Sequence, residues 1–272
     1  MARRPRSYRA ARSSVVSTVA AAAMALLTAC DGGRGADPTP TPATAPPTSA
    51  PNADRRPEQS MHDGAAGVLV VMGALVMQTD GGAAAGELRI SDGVFVDGRP
   101  AGDAAVVDAG GAHAVPLMVE SALAERPDAQ RAIYDLRPGN PATFAVIRRP
   151  VSESQIRRML VVDPDDLVAV YVGGHLEAWE GAPTRTAGDD LIDPAAEARW
   201  VGTWEDPGRG LQQHLTAEGR YSETRGGRAN AYTGRYWVRD ERITYLDDSG
   251  FWAFGEMLDG TLHHAGFVMT RE

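Results

Sequence analysis

The sequence predicts a mainly β protein, in which a C-terminal antiparallel β-barrel follows a smaller, mixed and β-rich middle domain. Short apolar and aromatic runs alternate with Gly and Asp turns from Trp200 to Arg271. Eleven of the chain's aromatic residues (5 Trp, 7 Tyr and 5 Phe in all) lie in this stretch, and aromatic side chains carry much of the burial energy of a core. Turn-forming pairs such as Asp259-Gly260 divide the stretch into about seven strands.

Adjacent residues of a strand point to opposite faces of a sheet, and two segments of this stretch have aromatic side chains on both faces. The first segment has one face with Tyr232, Gly234, Tyr236 and Val238, and another with Thr233, Arg235 and Trp237. The second segment runs from Phe251 to Met257 and has the same property. The pattern predicts a small barrel with one packed surface and a second surface that faces a ligand or a partner.

Residues 1–29 have the features of a secretory signal. Arginines precede an apolar run from Val15 to Leu27, which is shorter than the roughly 20 residues of a membrane-spanning helix. Leu27-Thr28-Ala29-Cys30 resembles the lipobox of bacterial lipoproteins. The resemblance implies cleavage before Cys30, attachment of a fatty acid such as palmitate, and anchoring to the outer face of the bacterial cell membrane. A plain secretory signal with an incidental cysteine is the alternative.

The composition restricts the partners and the stabilising forces of the exported part. Cys30 is the only cysteine, so the chain has no internal disulfide and burial must stabilise its fold. Residues 30–64 are rich in Pro, Thr and Ala, which predicts a disordered tether. Beyond residue 30, 22 arginines stand against 36 acidic residues. Nucleic acid attracts basic surfaces, and we therefore expect no nucleic-acid partner.

The sequence of the middle domain, residues 65–184, predicts short strands and two helices. Strands are predicted at Gly67–Met72, Ala104–Asp108 and Ala142–Ile147, and hairpins around Asp92-Gly93 and Gly173-Gly174. A helical segment from Val119 to Ala132 is interrupted by Pro127, and Ser152 is the predicted cap of a short helix that ends at Met159. Residues 185–198 form an acidic linker to the barrel domain, residues 199–272.

Two parts of the middle domain resemble metal-dependent amidohydrolases. The first part is Val106-Val107-Asp108-Ala109-Gly110-Gly111 with Ala114-Val115-Pro116, which is similar to the end of their N-terminal β segment. The second part is Leu136-Arg137-Pro138-Gly139-Asn140-Pro141-Ala142 with Val168-Ala169-Val170-Tyr171-Val172-Gly173-Gly174, which is similar to their C-terminal β segment. The resemblance implies an accessory β domain, but the two parts lie too close together for the family's metal-bearing barrel to fit between them.

The metal ligands of that family are missing from this sequence. The family has an H-x-H pair directly after the Val-Pro, where this chain reads Leu117-Met118-Val119-Glu120. We expect His113 and His175, which lie in predicted turns, at the surface. Zinc and iron sites need several converging His and carboxylate ligands, so we expect no metal, no cofactor and no catalytic residue here. A generic α+β domain is the alternative.

The C-terminal stretch carries a more extensive resemblance. Gly202-Thr203-Trp204 with Arg271 resembles the G-x-W and closing Arg of the calycin barrels, in which the Arg packs over the Trp and closes one end. The further motifs are Gly219-Arg220-Tyr221, Tyr232-Thr233-Gly234-Arg235-Tyr236, Asp247-Asp248-Ser249-Gly250-Phe251 and Leu262-His263-His264-Ala265-Gly266. Together they are similar to the Atu4866 family of small bacterial proteins, which implies a streptavidin-like β-barrel and no particular substrate.

Four residues are candidates for the walls of a ligand pocket in this barrel: Tyr221, Tyr245, Trp252 and His264. Aromatic walls with a few polar groups are typical of small-molecule sites, although each residue could equally be part of the core. His263 and His264 are adjacent and cannot both face the interior, which argues against a two-histidine metal site there.

The function that this sequence favours is a non-enzymatic, membrane-anchored binding module for a small ligand or a protein partner. A hydrolase related to the amidohydrolases is the alternative, and the missing H-x-H pair disfavours it. A scaffold, in which the two β domains only support surface contacts, is the third possibility.

Overall fold

The computed structural model describes residues 67–79, 82–98, 104–149, 160–161, 163–184 and 198–272. The signal segment, Cys30, the tether, most of the linker 185–198 and the helix predicted to end at Met159 lie outside these residues. Among the described residues, no helix combines the length and the apolar character needed to cross a bilayer.

The N-terminal lobe, residues 67–184, contains one mixed sheet. Its strands are β1 (Leu69–Met77), β2 (Ala83–Ser91), β3 (Val94–Phe95), β4 (Ala105–Asp108), β5 (His113–Pro116), β6 (Phe144–Ile147), β8 (Leu167–Val172), β9 (His175–Trp179) and β10 (Ala182–Pro183), whereas β7 (Leu160–Val161) joins the barrel. The order is β10-β9-β8-β6-β5-β1-β2-β3, and β4 also pairs with β1. Only the pairings of β1 with β4 and with β5 are parallel.

Two predicted turns and the helix break are confirmed. Asp92 and Gly93 have φ of 51° and 79°, and the β8–β9 turn at Gly173 and Gly174 is also left-handed. Helices α1 (Glu120–Glu125) and α2 (Asp128–Arg131) are separated at Pro127, and 3-10 turns follow at Ala132–Tyr134 and Pro164–Asp166.

The central strands of the lobe are buried on both faces. In β6, Phe144 and Val146 pack into a core inside the lobe, while Ala145 and Ile147 point the other way. All six residues of β8 are buried. A sheet covered on both sides requires nearly continuous apolar strands, which explains the uninterrupted apolar sequence of β6 and β8.

The C-terminal domain is a closed antiparallel barrel of eight strands. They are β11 (Gly202–Asp206), β12 (Leu211–Leu215), β13 (Arg220–Arg225), β14 (Arg228–Arg239), β15 (Arg242–Asp247), β16 (Trp252–Leu258), β17 (Thr261–His264) and β18 (Phe267–Arg271). Each strand pairs with the next one, and β11 pairs with β18 to close the ring. Strand β7 of the lobe pairs with the start of β16.

The expectation of about seven strands was low by one, and the predicted turns did not include those between β11 and β12 and between β17 and β18. Ala265 and Gly266 have φ of 50° and 85°, so they form a tight left-handed turn after His264. Alanine is not a usual residue for such a turn, so the local sequence contains little signal for it.

The outer wall of the barrel packs against the lobe through what we name the interlobe core. Trp237, Trp252 and Phe254 extend outward from β14 and β16, and the Trp237 and Trp252 rings meet edge to face at 5.6 Å. The lobe contributes Val115, Leu117, Val119, Ala122, Ala145, Ile147, Leu167, Val170, Val172 and Ala178. The second face of the lobe's sheet is thus covered by the barrel.

Two buried carboxylates, one from each domain, form hydrogen bonds across this interface. Glu256 of the barrel is 1% exposed; it accepts a hydrogen bond from Tyr134 of the lobe at 2.6 Å and pairs with Arg126 of the lobe and Arg242. Burial and the charge of Glu256 raise the pKa of Tyr134 to about 12, so the phenol stays protonated and donates.

The second carboxylate, Glu177 of the lobe, is fully buried. It accepts hydrogen bonds from the Trp237 indole at 2.8 Å and from Arg239, both in the barrel. Because each carboxylate is satisfied by residues of the other domain, the two domains are matched in polarity as well as in shape.

We predict that Glu256→Gln lowers the free energy of unfolding by about 3 kcal/mol, because it leaves Arg126 and Arg242 without their counter-charge. Urea denaturation of the purified protein measures this. Glu241→Gln is the matched control, since Glu241 forms an exposed ion pair with Arg199 and should change stability by less than about 1 kcal/mol. Equal effects of the two substitutions would contradict the assigned role of Glu256.

Candidate functional site

The barrel has two different ends, because alternate turns of an up-and-down barrel lie at the same end. The tryptophan end contains residues 200–202, the C-terminus and the turns 216–219, 240–241 and 259–260. The opposite end, which we name the mouth, contains the turns 207–210, 226–227, 248–251 and 265–266.

The predicted closing trio of Gly202, Trp204 and Arg271 lies together at the tryptophan end. The Trp204 indole donates to the carbonyl of Trp200 at 2.7 Å, and Arg271 donates to the carbonyl of Val201 at 2.5 Å. Gly202 has a φ of 136°, and a Cβ there would lie 3.1 Å from the Arg271 side chain. The expected packing of Arg271 over a Trp face is replaced by these carbonyl contacts, since none of the cation–π pairs in the described residues involves Arg271.

Three of the four predicted pocket residues meet inside the barrel. The rings of Tyr221 and Tyr245 lie 5.1 Å apart, and those of Tyr245 and His264 lie 4.4 Å apart. Trp252 is fully buried in the interlobe core instead, on the outer side of the wall. Of the adjacent histidines, His264 faces the interior, while His263 lies 3.0 Å from Ser121 of the lobe.

A buried polar network joins non-neighbouring strands across the interior. Gln213 on β12 donates to Glu223 at 3.0 Å and accepts from Tyr245 on β15 at 2.8 Å. Glu223 on β13 also lies 3.6 Å from His264 on β17. Gln213 and Glu223 were not singled out from the sequence, although the alternation along β13 places Glu223 on the same face as Tyr221.

The charge of Glu223 is stabilised by its neighbours. Burial alone raises the pKa of this carboxyl group, but the hydrogen bond and charge of His264 and the ion pair with Arg225 outweigh burial and lower the pKa below its ordinary value. Its two oxygens have different partners: Oε1 faces Gln213 and His264, and Oε2 accepts from Arg225 at 2.7 Å.

A second buried polar contact, between Tyr221 and Asp247, lies beside this network. Tyr221 donates to Asp247 at 2.8 Å, and Asp247 also accepts from the hydroxyl and amide of Ser249. Burial and the hydrogen bond to Asp247 raise the pKa of Tyr221 far above its ordinary value. Gly234 makes room for the Tyr221 ring, since a Cβ there would stand only 2.6 Å from it.

The interior is therefore filled by the protein's own side chains. Large residues from several strands are at most 2% exposed: Trp204, Leu215, Tyr245, Leu262 and Met269. Hydrogen bonds from Gln213 and Tyr245 cross the barrel between these side chains. The arrangement can hold charge and exclude water.

The mouth combines guanidinium groups with partly buried rings. The Arg225 guanidinium lies 4.4 Å from the centre of the Tyr232 ring and 5.1 Å from that of Phe267. Arg209 lies 5.8 Å from the Phe267 ring, and Phe251 contacts Tyr232 edge to face at 5.7 Å. The Arg225 side chain is 36% exposed, so this group is accessible while its orientation is fixed.

The lobe provides no comparable concentration of chemical groups among its described residues. A shallow, open groove of about 450 Å³ runs beside β2 and is lined by Val76, Gln78, Leu136 and the small residues of β2. His113 and His175 are both half-buried rather than fully exposed. Among the residues that the structure describes, no group of three or more His, Cys, Asp or Glu side chains is placed to hold a metal ion.

Comparison with known proteins identifies the barrel. Residues 197–271 match the model of the family described as Agrobacterium tumefaciens protein Atu4866. The solution structure of the protein Atu4866 from Agrobacterium tumefaciens is 45% identical in sequence; the alignment covers 26% of this chain and 92% of that chain, with a TM-score of 0.25. The chain belongs to the Atu4866 family.

The family match concerns only the Atu4866 barrel. That barrel accounts for nearly the whole of the solved Agrobacterium chain, whereas the N-terminal lobe lies outside the matched residues. A search of curated proteins found no match. The amidohydrolase resemblance of the lobe remains a prediction.

We predict that Glu223→Gln lowers the free energy of unfolding by about 3 kcal/mol at neutral pH, because Arg225 loses its buried counter-charge. Since the folded-state pKa of Glu223 is lowered, its contribution is present above the ordinary carboxyl pKa and is lost as the pH falls through the lowered value.

The difference between the wild-type protein and Glu223→Gln should therefore shrink on acidification, as measured by denaturation at a series of pH values. Glu205→Gln is the control: Glu205 is only half-buried and hydrogen-bonds Gln212, so its replacement should have a small effect. A pH-independent difference for Glu223→Gln would contradict the prediction.

Proposed function

We propose that this protein is an exported, lipid-anchored binding module without enzymatic activity, and that its Atu4866 barrel recognises its ligand at the mouth. The observation that carries the proposal is the Arg225 guanidinium held between the Tyr232 and Phe267 rings and left partly exposed. A cation in this setting has lost conformational freedom before any ligand arrives, and preorganisation of this kind favours binding.

Because side chains fill the barrel interior, we place the ligand site at the mouth. A barrel that carries a ligand inside needs a cavity of several hundred Å³, whereas here Tyr245, Gln213 and Glu223 bridge the interior. At the opposite end, Arg271 and Trp204 donate to the carbonyls of Val201 and Trp200, and the outer wall at Trp237 and Trp252 is covered by the lobe. The mouth is the barrel end that remains accessible.

The membrane part of the proposal is supported by the sequence. Leu27-Thr28-Ala29-Cys30 has the lipobox pattern, and the proline-rich residues 30–64 separate it from the lobe. With a lipid on Cys30, the mouth would face the space outside the cell membrane, and its ligand would be an extracytoplasmic molecule or a neighbouring protein.

A screen of small molecules and short peptides against the purified protein tests the binding role. We expect at least one compound to raise the melting temperature, because a ligand that binds only the folded state stabilises it. The shift should be absent in Phe267→Leu, which removes one ring of the mouth, and retained in Val268→Ala, whose side chain is exposed on the same strand. A screen in which no compound binds at the mouth would contradict the proposed function.

We predict that Cys30→Ser abolishes incorporation of labelled palmitate in a bacterial host and moves the protein from the membrane pellet to the soluble fraction or leaves it unprocessed. Asp37→Asn, a nearby change outside the lipobox, should behave as the wild type. Unchanged palmitate labelling of Cys30→Ser would refute lipidation at this residue.

A further inference from the structure

We propose that the mouth recognises a carboxylate that stands next to an apolar group, and that Arg225 is the residue that binds it. This inference rests on the proposed function and adds the chemical class of the ligand. The same chemistry occurs in a free organic acid and at the C-terminus of a peptide that ends in an apolar residue.

Arg225 has one edge left for a ligand. Tyr232 and Phe267 lie over its guanidinium, and its Nε and Nη2 atoms both bind Oε2 of Glu223 at 2.7 Å. Its Nη1 has no hydrogen-bond partner among the described residues. A guanidinium donates in its own plane, so an acceptor must approach Nη1 from the open side of the mouth.

Glu223 holds this arginine without fully neutralising it. Its second oxygen is engaged by Gln213 at 3.0 Å and faces His264 at 3.6 Å, so the buried carboxylate is shared among three partners. Arg209 and Arg228 lie on the neighbouring turns of the mouth, and both are exposed. The mouth is therefore locally rich in arginine within a chain of net charge −9.

The nearby acids favour a singly charged ligand over a dianion. Asp206 and Asp248 flank the mouth, and each would repel a phosphate about twice as strongly as a carboxylate at the same distance. Asp248 is itself paired with Arg220 at 2.7 Å, and Asp206 accepts from the Val268 amide.

The apolar half of the ligand is inferred from three partly buried rings. Tyr232 and Phe267 lie beside the Arg225 guanidinium, and Phe251 contacts Tyr232. A ligand whose carboxylate reaches Nη1 would place its neighbouring group against these rings. An aliphatic or aromatic group would bury surface there, whereas acetate would not.

The test is a set of NMR titrations of the labelled protein, observing the Nε–H of Arg225 and the amides of Phe267 and Arg228. The probes are 3-phenylpropionate, its neutral amide, acetate, inorganic phosphate, and a tripeptide ending in Phe with a free or an amidated C-terminus. We expect saturable shifts with 3-phenylpropionate and the free peptide, and at least tenfold weaker binding of their amides, of acetate and of phosphate.

Arg225→Gln should abolish these shifts, and Arg228→Gln, which removes an exposed arginine without ring contacts, should retain them. Because Arg225→Gln leaves Glu223 with a neutral partner, Arg225→Lys is the second variant: it keeps the charge but loses the planar fork, and it should bind about tenfold more weakly. Melting curves establish that each variant is folded.

The outcomes separate the two proposals. Equal binding of the acid and its amide at the mouth would contradict the proposal that the ligand is a carboxylate, but it would still support a binding role for the mouth. Carboxylate binding that survives Arg225→Gln, or the absence of saturable shifts with every probe, would overturn the assignment to Arg225. Selective binding of the free peptide over 3-phenylpropionate would identify a peptide as the source of the carboxylate.

Discussion

The packing of Trp237, Trp252 and Phe254 against the second face of the N-terminal sheet is the constraint on which the two domains depend. A β-sheet whose central strands are apolar throughout must be covered on both sides, and the barrel provides one of those covers. The Glu256 and Glu177 contacts fix how the surfaces match, since Glu177 would lose its partner Arg239 and Glu256 would lose its partner Arg126 if the domains met differently.

The same packing decides which part of the barrel can meet other molecules. The outer wall is covered by the lobe, and Arg271 donates to the Val201 carbonyl at the tryptophan end. The interior is bridged by Gln213, Glu223 and Tyr245. The mouth carries Arg225, whose orientation is fixed by its hydrogen bonds to the buried carboxylate of Glu223. The interior and the rim are therefore coupled electrostatically, because the buried Glu223 carboxylate fixes the orientation of the partly exposed Arg225 guanidinium.

Local patterns predicted much of this architecture, and long-range contacts account for what they did not predict. Alternation placed Tyr232, Gly234 and Tyr236 together on one face, because the side-chain period of a strand is a local property. The structure shows that Tyr232 and Tyr236 on this face belong to the barrel core. The same alternation puts Trp252 on the face opposite Ala253, but it does not say which face is the outer one or that this face would be covered, and Trp252 was therefore predicted as a pocket residue. Pairings such as Glu223 with His264 join strands that are not neighbours and could not be read from spacing.

The aromatic flank of this barrel also decides where a change of sequence acts. Trp237 and Trp252 are buried against residues of β6 and β8, so a substitution on that flank alters the packing of both domains. The Tyr232 and Phe267 rings of the mouth lie outside the interlobe core, so a substitution there leaves the contact between the domains unchanged.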